Sequence, residues 1–92
     1  MSMLHLVHTL EAVEACFIRV DAGDAVVLMD DAVRTLIGRG WVPPRGPSVF
    51  VLKAHGFDPE LSPGSVAPEC ALIDLAGLVR LTEQHASIIQ WR

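Results

Sequence analysis

Between Ala25 and Met29 the chain reads AVVLM, five apolar residues with no polar interruption. A strand with one wet face alternates apolar and polar side chains, so an unbroken run this short fits a strand covered on both faces. The neighbouring segments agree. MLHLVHTL (Met3 to Leu10) opens with a strand-like run ending near His8, and Thr9 stands where a helix N-cap belongs. LEAVEACFIRV follows with Leu10, Val13, Phe17 and Val20 on one stripe and Glu11, Glu14 and Ala15 opposite. DAGD (Asp21 to Asp24) ends this helix, with Gly23 in the C-cap region. DDAVRTLIG, beginning on carboxylates and ending on glycine, reads as a short helix finishing near Ile37.

From Gly38 to Pro47, three glycines and three prolines exclude a regular element. SVFVLK (Ser48 to Lys53) is the third strand, and 54–68 is irregular apart from a helical turn near Pro59 to Leu61. ECALID (Glu69 to Asp74) is the fourth strand. Asp74 caps the helix LAGLVRLTEQH, whose Leu75, Leu78, Val79 and Thr82 follow helical spacing. ASIIQW closes the chain as a final strand or an extended tail. Strands alternating with helices predict an α/β fold: a three-layer α/β/α sandwich around a mostly parallel sheet of about five strands. At 92 residues, the chain 1–92 is a single domain.

Composition narrows the function classes. Apolar residues make up 51% and charged residues 20%, which excludes disorder and favours a sheet buried on both faces or a shared subunit interface. An oligomer is therefore expected. The net charge is −4, and the seven Lys and Arg residues form no basic run, so no direct nucleic-acid binding is expected. The start lacks a basic leader and no stretch reaches bilayer-spanning length, so the reading is cytoplasmic, with no membrane partner. Cys16 and Cys70 are then expected as reduced thiols.

Few constellations could carry chemistry. GRGW follows a helix and lies beside prolines, so it is not a phosphate-binding loop, and no cofactor is expected. His5 and His8, with Asp30 or Asp31, offer the nearest approach to a metal set, but an i, i+3 pair on a strand points to opposite faces; no metal is expected. Asp30, Asp31 and Asp74 follow strands, where ligands often bind in open α/β sheets, yet each is also placed to cap a helix. His55 is a loop histidine, and His85 caps the last helix or faces solvent. Cys70 reads as an inert strand residue. Cys16 lies roughly 60–100° from the centre of the first helix's apolar stripe, where a thiol would be half exposed. Arg19 is its only local cation, and Glu14 is a poor neighbour for a thiolate.

The segments MLHLVH, GDAVVLMDDAV and ALIDLAGLVRLTEQHASIIQW together resemble the DsrH/TusB family. Its members begin Met-Leu-His, carry a Gly-Asp-…-Leu-Leu-…-Asp-Gly-Val segment, and end with Asp-x-x-x-[Phe/Leu]-Val-x-Leu-Thr shortly before a tryptophan. Here the last of these are Asp74, Leu78, Val79, Leu81, Thr82 and Trp91, and the similarity runs from Met3 to Trp91. Ala32 departs from the family's glycine, and the Gly38–Pro47 loop matches no family pattern. The resemblance implies a subunit of a cytoplasmic sulfur-relay complex that passes persulfide sulfur. DsrE/TusD-like and DsrF/TusC-like homologues are its implied partners, in a dimer of heterotrimers. The TusB branch serves 2-thiolation of the tRNA wobble uridine; the DsrH branch serves dissimilatory sulfur oxidation. DsrH-like members carry a first-helix cysteine in a context like Glu-x-Cys-[Leu/Phe], and EACF places Cys16 there as a candidate sulfur carrier, while many TusB-like members lack it.

Three readings stand at this point. The chain is an accessory relay subunit that holds its partners, or it carries sulfur on Cys16 as a sulfurtransferase component. The third is a stand-alone homo-oligomeric α/β binding module, since a fold does not determine a function.

Overall fold

A computed structural model of the chain describes residues 3–29 (without the side chain of Leu10), 32–33, 43–52 and 70–92. Five strands, β1 (Met3–Val7), β2 (Ala25–Leu28), β3 (Ser48–Leu52), β4 (Cys70–Ile73) and β5 (Ser87–Trp91), form one sheet in the order β4-β3-β2-β1-β5. Every neighbouring pair is parallel, so the sheet is wholly rather than mostly parallel. The helices are α1 (Leu10–Arg19) and α2 (Leu75–Gln84). Ala32 and Val33 are helical as well. The end of that helix near Ile37, Asp30 and Asp31, and the segment 54–68 with His55 and the Pro59–Leu61 turn lie outside the described residues.

The order of strands explains where the helices sit. From β1 to β4 the chain steps one way across the sheet; from β4 to β5 it returns past three strands to pair with the far side of β1. Right-handed crossovers taken in opposite directions lay their helices on opposite faces. The two apolar clusters follow that rule. On one face Val7, Val26, Leu28, Val49 and Val51 pack with Ala12, Val13 and Cys16 of α1 and with Ala32 and Val33. On the other, Leu4, Ala25, Val27 and Leu52 pack with Leu78 and Leu81 of α2. All four residues of β2 are buried, as the AVVLM run requires.

Both helices present a different stripe from the one their periodicity suggests. In α1 the buried line is Ala12, Val13 and Cys16, whereas Phe17 and Val20 are only half-buried. Ala12 and Cys16 are one turn apart and small, which lets the helix axis approach the sheet closely; the larger side chains then flank the contact. In α2, Leu78 and Leu81 face the sheet, while Leu75 and Val79 are 69% and 54% exposed. Spacing ranks a face by its hydrophobicity, but a helix turns to whichever face fits the sheet beneath it.

The caps are local. The Thr9 hydroxyl accepts from the Ala12 N–H at 3.3 Å, and the Asp74 carboxylate accepts from the Gly77 N–H at 2.8 Å. α1 does not end on a left-handed glycine: its C-cap is Val20, in extended backbone, and its N–H returns to the Cys16 carbonyl at 3.0 Å. Gly46, just before β3, has φ +118°, a conformation that a residue with a Cβ rarely adopts. At the end of α2 the His85 ring donates from Nδ1 to the Leu81 carbonyl at 2.8 Å, so of its two expected placements, cap or solvent, the structure has the cap.

Leu28 is 1% exposed and Leu75 is 69% exposed, so the same truncation should have opposite consequences. Leu28→Ala is expected to cost about 2–5 kcal/mol in urea unfolding. Leu75→Ala should stay within about 0.5 kcal/mol.

Candidate functional site

Three segments far apart in sequence meet at the amino ends of β1 and β2. His5 lies in β1, Asp24 immediately precedes β2, and Trp91 ends β5. His5 pairs with Ile89 across the sheet, and Trp91, two residues further along the same face, reaches back over the imidazole. Their rings stack with centroids 6.2 Å apart and planes inclined by 27°.

The hydrogen bonds fix the chemistry of the cluster. Indole Nε1–H can only donate, so at 3.0 Å the His5 Nδ1 atom accepts from Trp91. The proton of a neutral ring then sits on Nε2, which donates to Asp24 Oδ2 at 3.0 Å. Asp24 also accepts from the backbone N–H of Met3 at 2.9 Å on Oδ1 and of Asp21 at 3.0 Å on Oδ2. Its own backbone accepts from the Ser48 N–H and donates to the Asp21 carbonyl, each at 3.0 Å. His5 and Asp24 are only 3% and 5% exposed. Burial pushes the Asp24 carboxyl up, but the Asp21 N–H, the His5 ring and the Met3 N–H outweigh it and hold the group below its ordinary 3.8.

A cavity of about 270 Å³ opens beside this cluster, walled by Trp91, Ile89 and Arg19. A second, more open groove of about 400 Å³ runs between β4 and α2, lined by Phe50, Leu72, Arg80, Leu81 and Gln84. Asp74 borders that groove with one oxygen engaged as the α2 cap.

Cys16 does not stand at the margin of its helix. It is fully buried in the apolar cluster of α1. Burial first, and the Asp24 charge second, push its thiol up from 9.0 to about 11. Both effects oppose a thiolate, and persulfide exchange needs one. Cys70 is half-buried against the same cluster, and no disulfide involves either residue. His5 is engaged by Asp24 and Trp91, and among the described residues no group of three or more His, Cys, Asp or Glu is placed to hold a metal. Nor, among those residues, is any helix long and apolar enough to cross a membrane.

The His5–Asp24–Trp91 cluster is absent from the reading of the sequence by spacing. Its members are 19 and 86 residues apart, and only the strand register brings them together. The chain matches no family model, and no curated protein matches it in sequence.

Asp24 and Cys16 each make a measurable prediction. Because the folded carboxyl titrates below its unfolded value, the unfolded chain binds the proton first as pH falls. The contribution of Asp24 is therefore complete at neutral pH and is lost on acidification through the unfolded value of about 3.9 and on to the lower folded one. Asp24→Asn should cost about 1–3 kcal/mol at pH 7 and flatten the loss of stability between about pH 5 and pH 3, read from urea midpoints. For Cys16, a thiol at about 11 rather than 9.0 holds about a hundredfold less thiolate at neutral pH. Alkylation by iodoacetamide should thus be at least about tenfold slower in the folded chain than in urea, followed by peptide mass spectrometry.

Proposed function

We propose that the chain is an accessory subunit of a sulfur-relay complex of the DsrH/TusB kind, holding homologous DsrE/TusD-like and DsrF/TusC-like subunits rather than carrying the sulfur itself. One observation supports this reading above the rest. The three segments that carry the resemblance, the Met-Leu-His start, the Gly-Asp step before AVVLM and the terminal tryptophan, each contribute one member of the cluster: His5, Asp24 and Trp91. Residues scattered along 92 positions, each in a segment that resembles the family, thus meet in one hydrogen-bonded cluster of this chain.

The second part of the reading rests on Cys16. A buried thiol pushed up to about 11 favours an accessory role over a carrier. It also favours the TusB-like branch, 2-thiolation of the tRNA wobble uridine in the cytoplasm, whose members often do without this cysteine. A relay of this kind asks of the subunit a rigid, interface-bearing domain, with the exchanging thiol supplied by a partner. Exposed apolar side chains on α2 and β5, such as Leu75, Val79 and Ile88, are consistent with an interface-bearing surface.

Native mass spectrometry of the tagged chain purified from its own host tests the assembly. Two further small subunits in equal amounts are expected; a homo-oligomer alone would overturn the proposal and favour the stand-alone binding module. In the reconstituted complex, Cys16→Ser should leave both assembly and sulfur transfer within about twofold of wild type. Loss of transfer with assembly intact would make Cys16 the carrier.

A further inference from the structure

We propose that the His5–Trp91 pair is an acid-sensitive latch, in which a proton on His5 Nδ1 expels the Trp91 indole from its place on the wall of the 270 Å³ cavity. The direction of one hydrogen bond makes the latch sensitive to a proton. Indole nitrogen has no lone pair to offer, so the contact at 3.0 Å exists only while His5 Nδ1 keeps its own lone pair. A solvent proton taken up at Nδ1 turns that acceptor into a donor and sets two N–H groups against each other.

The other side of the ring responds in the opposite sense. Nε2–H still donates to Asp24 Oδ2, and a full positive charge strengthens that bond to the carboxylate. The conflict is therefore confined to the tryptophan. Among the described residues, the charged groups that line the cavity with the ring are Asp24 at the start of β2, Asp21 in the preceding turn and Arg19 at the end of α1. Cys16, also in α1, is held as a neutral thiol, and β5 presents Ile89 and Trp91, neither of which ionises.

The backbone around Trp91 is held independently of its indole. β5 pairs with β1 from Met3↔Ser87 to Val7↔Trp91, and the His8 N–H donates to the Trp91 carbonyl at 2.9 Å. Expulsion is thus a side-chain rotation on a retained strand. It removes one wall of the cavity and uncovers the His5–Asp24 pair without unfolding the sheet. The latch is independent of the sulfur-relay reading and would operate in the isolated chain.

Nitrogen-edited NMR of the labelled full chain tests it, with the Trp91 indole signal assigned by its loss in Trp91→Phe. Near neutral pH the ring should show the Nε2–H tautomer and a protected indole proton. As His5 titrates, the indole proton should shift on the same curve and exchange at least about tenfold faster, with far-UV circular dichroism unchanged. His5→Gln offers the indole an acceptor that does not titrate, so its indole proton should stay protected across the same range. An indole signal indifferent to the His5 titration would overturn the proposal. So would a change that coincides with loss of circular dichroism, or the same pH response in His5→Gln.

Discussion

A single carboxylate ties together the amino-terminal edge of the sheet. Asp24 accepts from the N–H of Met3 at the start of β1, from the His5 ring two residues further on, and from the Asp21 N–H in the turn that leaves α1. Its carbonyl accepts from Ser48, the first residue of β3. Three strands and one turn are thus referenced to one residue. A buried carboxylate is costly to desolvate, and three donors offset that cost here. These bonds link the amino ends of β1, β2 and β3 in the register at which their side chains pair, Leu4 with Ala25 and Ala25 with Ser48.

That register sorts the apolar residues into two cores. Because side chains alternate along a strand, Leu4 and Val27 face α2 while Val7 and Val26 face α1, and the return from β4 to β5 is what places helices on both sides. The two faces are unequally sealed. The α1 face closes over small residues and buries Cys16 completely, whereas α2 has no fully buried residue. A thiol sealed in this way behaves as a small hydrophobe. The same close packing of α1 keeps the Cys16 thiol away from solvent and disfavours its thiolate.

Much of this was legible from residues close together in the chain. Thr9 and Asp74 stand just before helical runs, where a cap belongs, and they cap through N–H groups three residues on. AVVLM has the unbroken apolar run of a doubly covered strand, and all four residues of β2 are buried. Failures came where the answer depends on distant partners. The stripe drawn through Leu10, Val13, Phe17 and Val20 missed Ala12 and Cys16, since small residues carry little weight in a hydrophobic pattern but decide how near a helix can come. Gly23 looked like a helix stop, yet extended Val20 supplies the cap. Trp91 stood out only as a family-like terminus, with nothing in its surroundings to pair it with His5.

The amino-acid sequence by itself determined the local alternation of strand and helix, the N-terminal caps and the parallel class of the sheet, because each follows from spacings of a few residues and from backbone preferences. Only the tertiary structure decided that β5 returns to pair with β1, that Cys16 is sealed, and that His5, Asp24 and Trp91 share one hydrogen-bonded cluster. Those facts rest on contacts between residues up to 86 positions apart, such as Trp91 with His5, and on the order in which strands pair. No local spacing encodes them, since register and burial are properties of the assembled sheet.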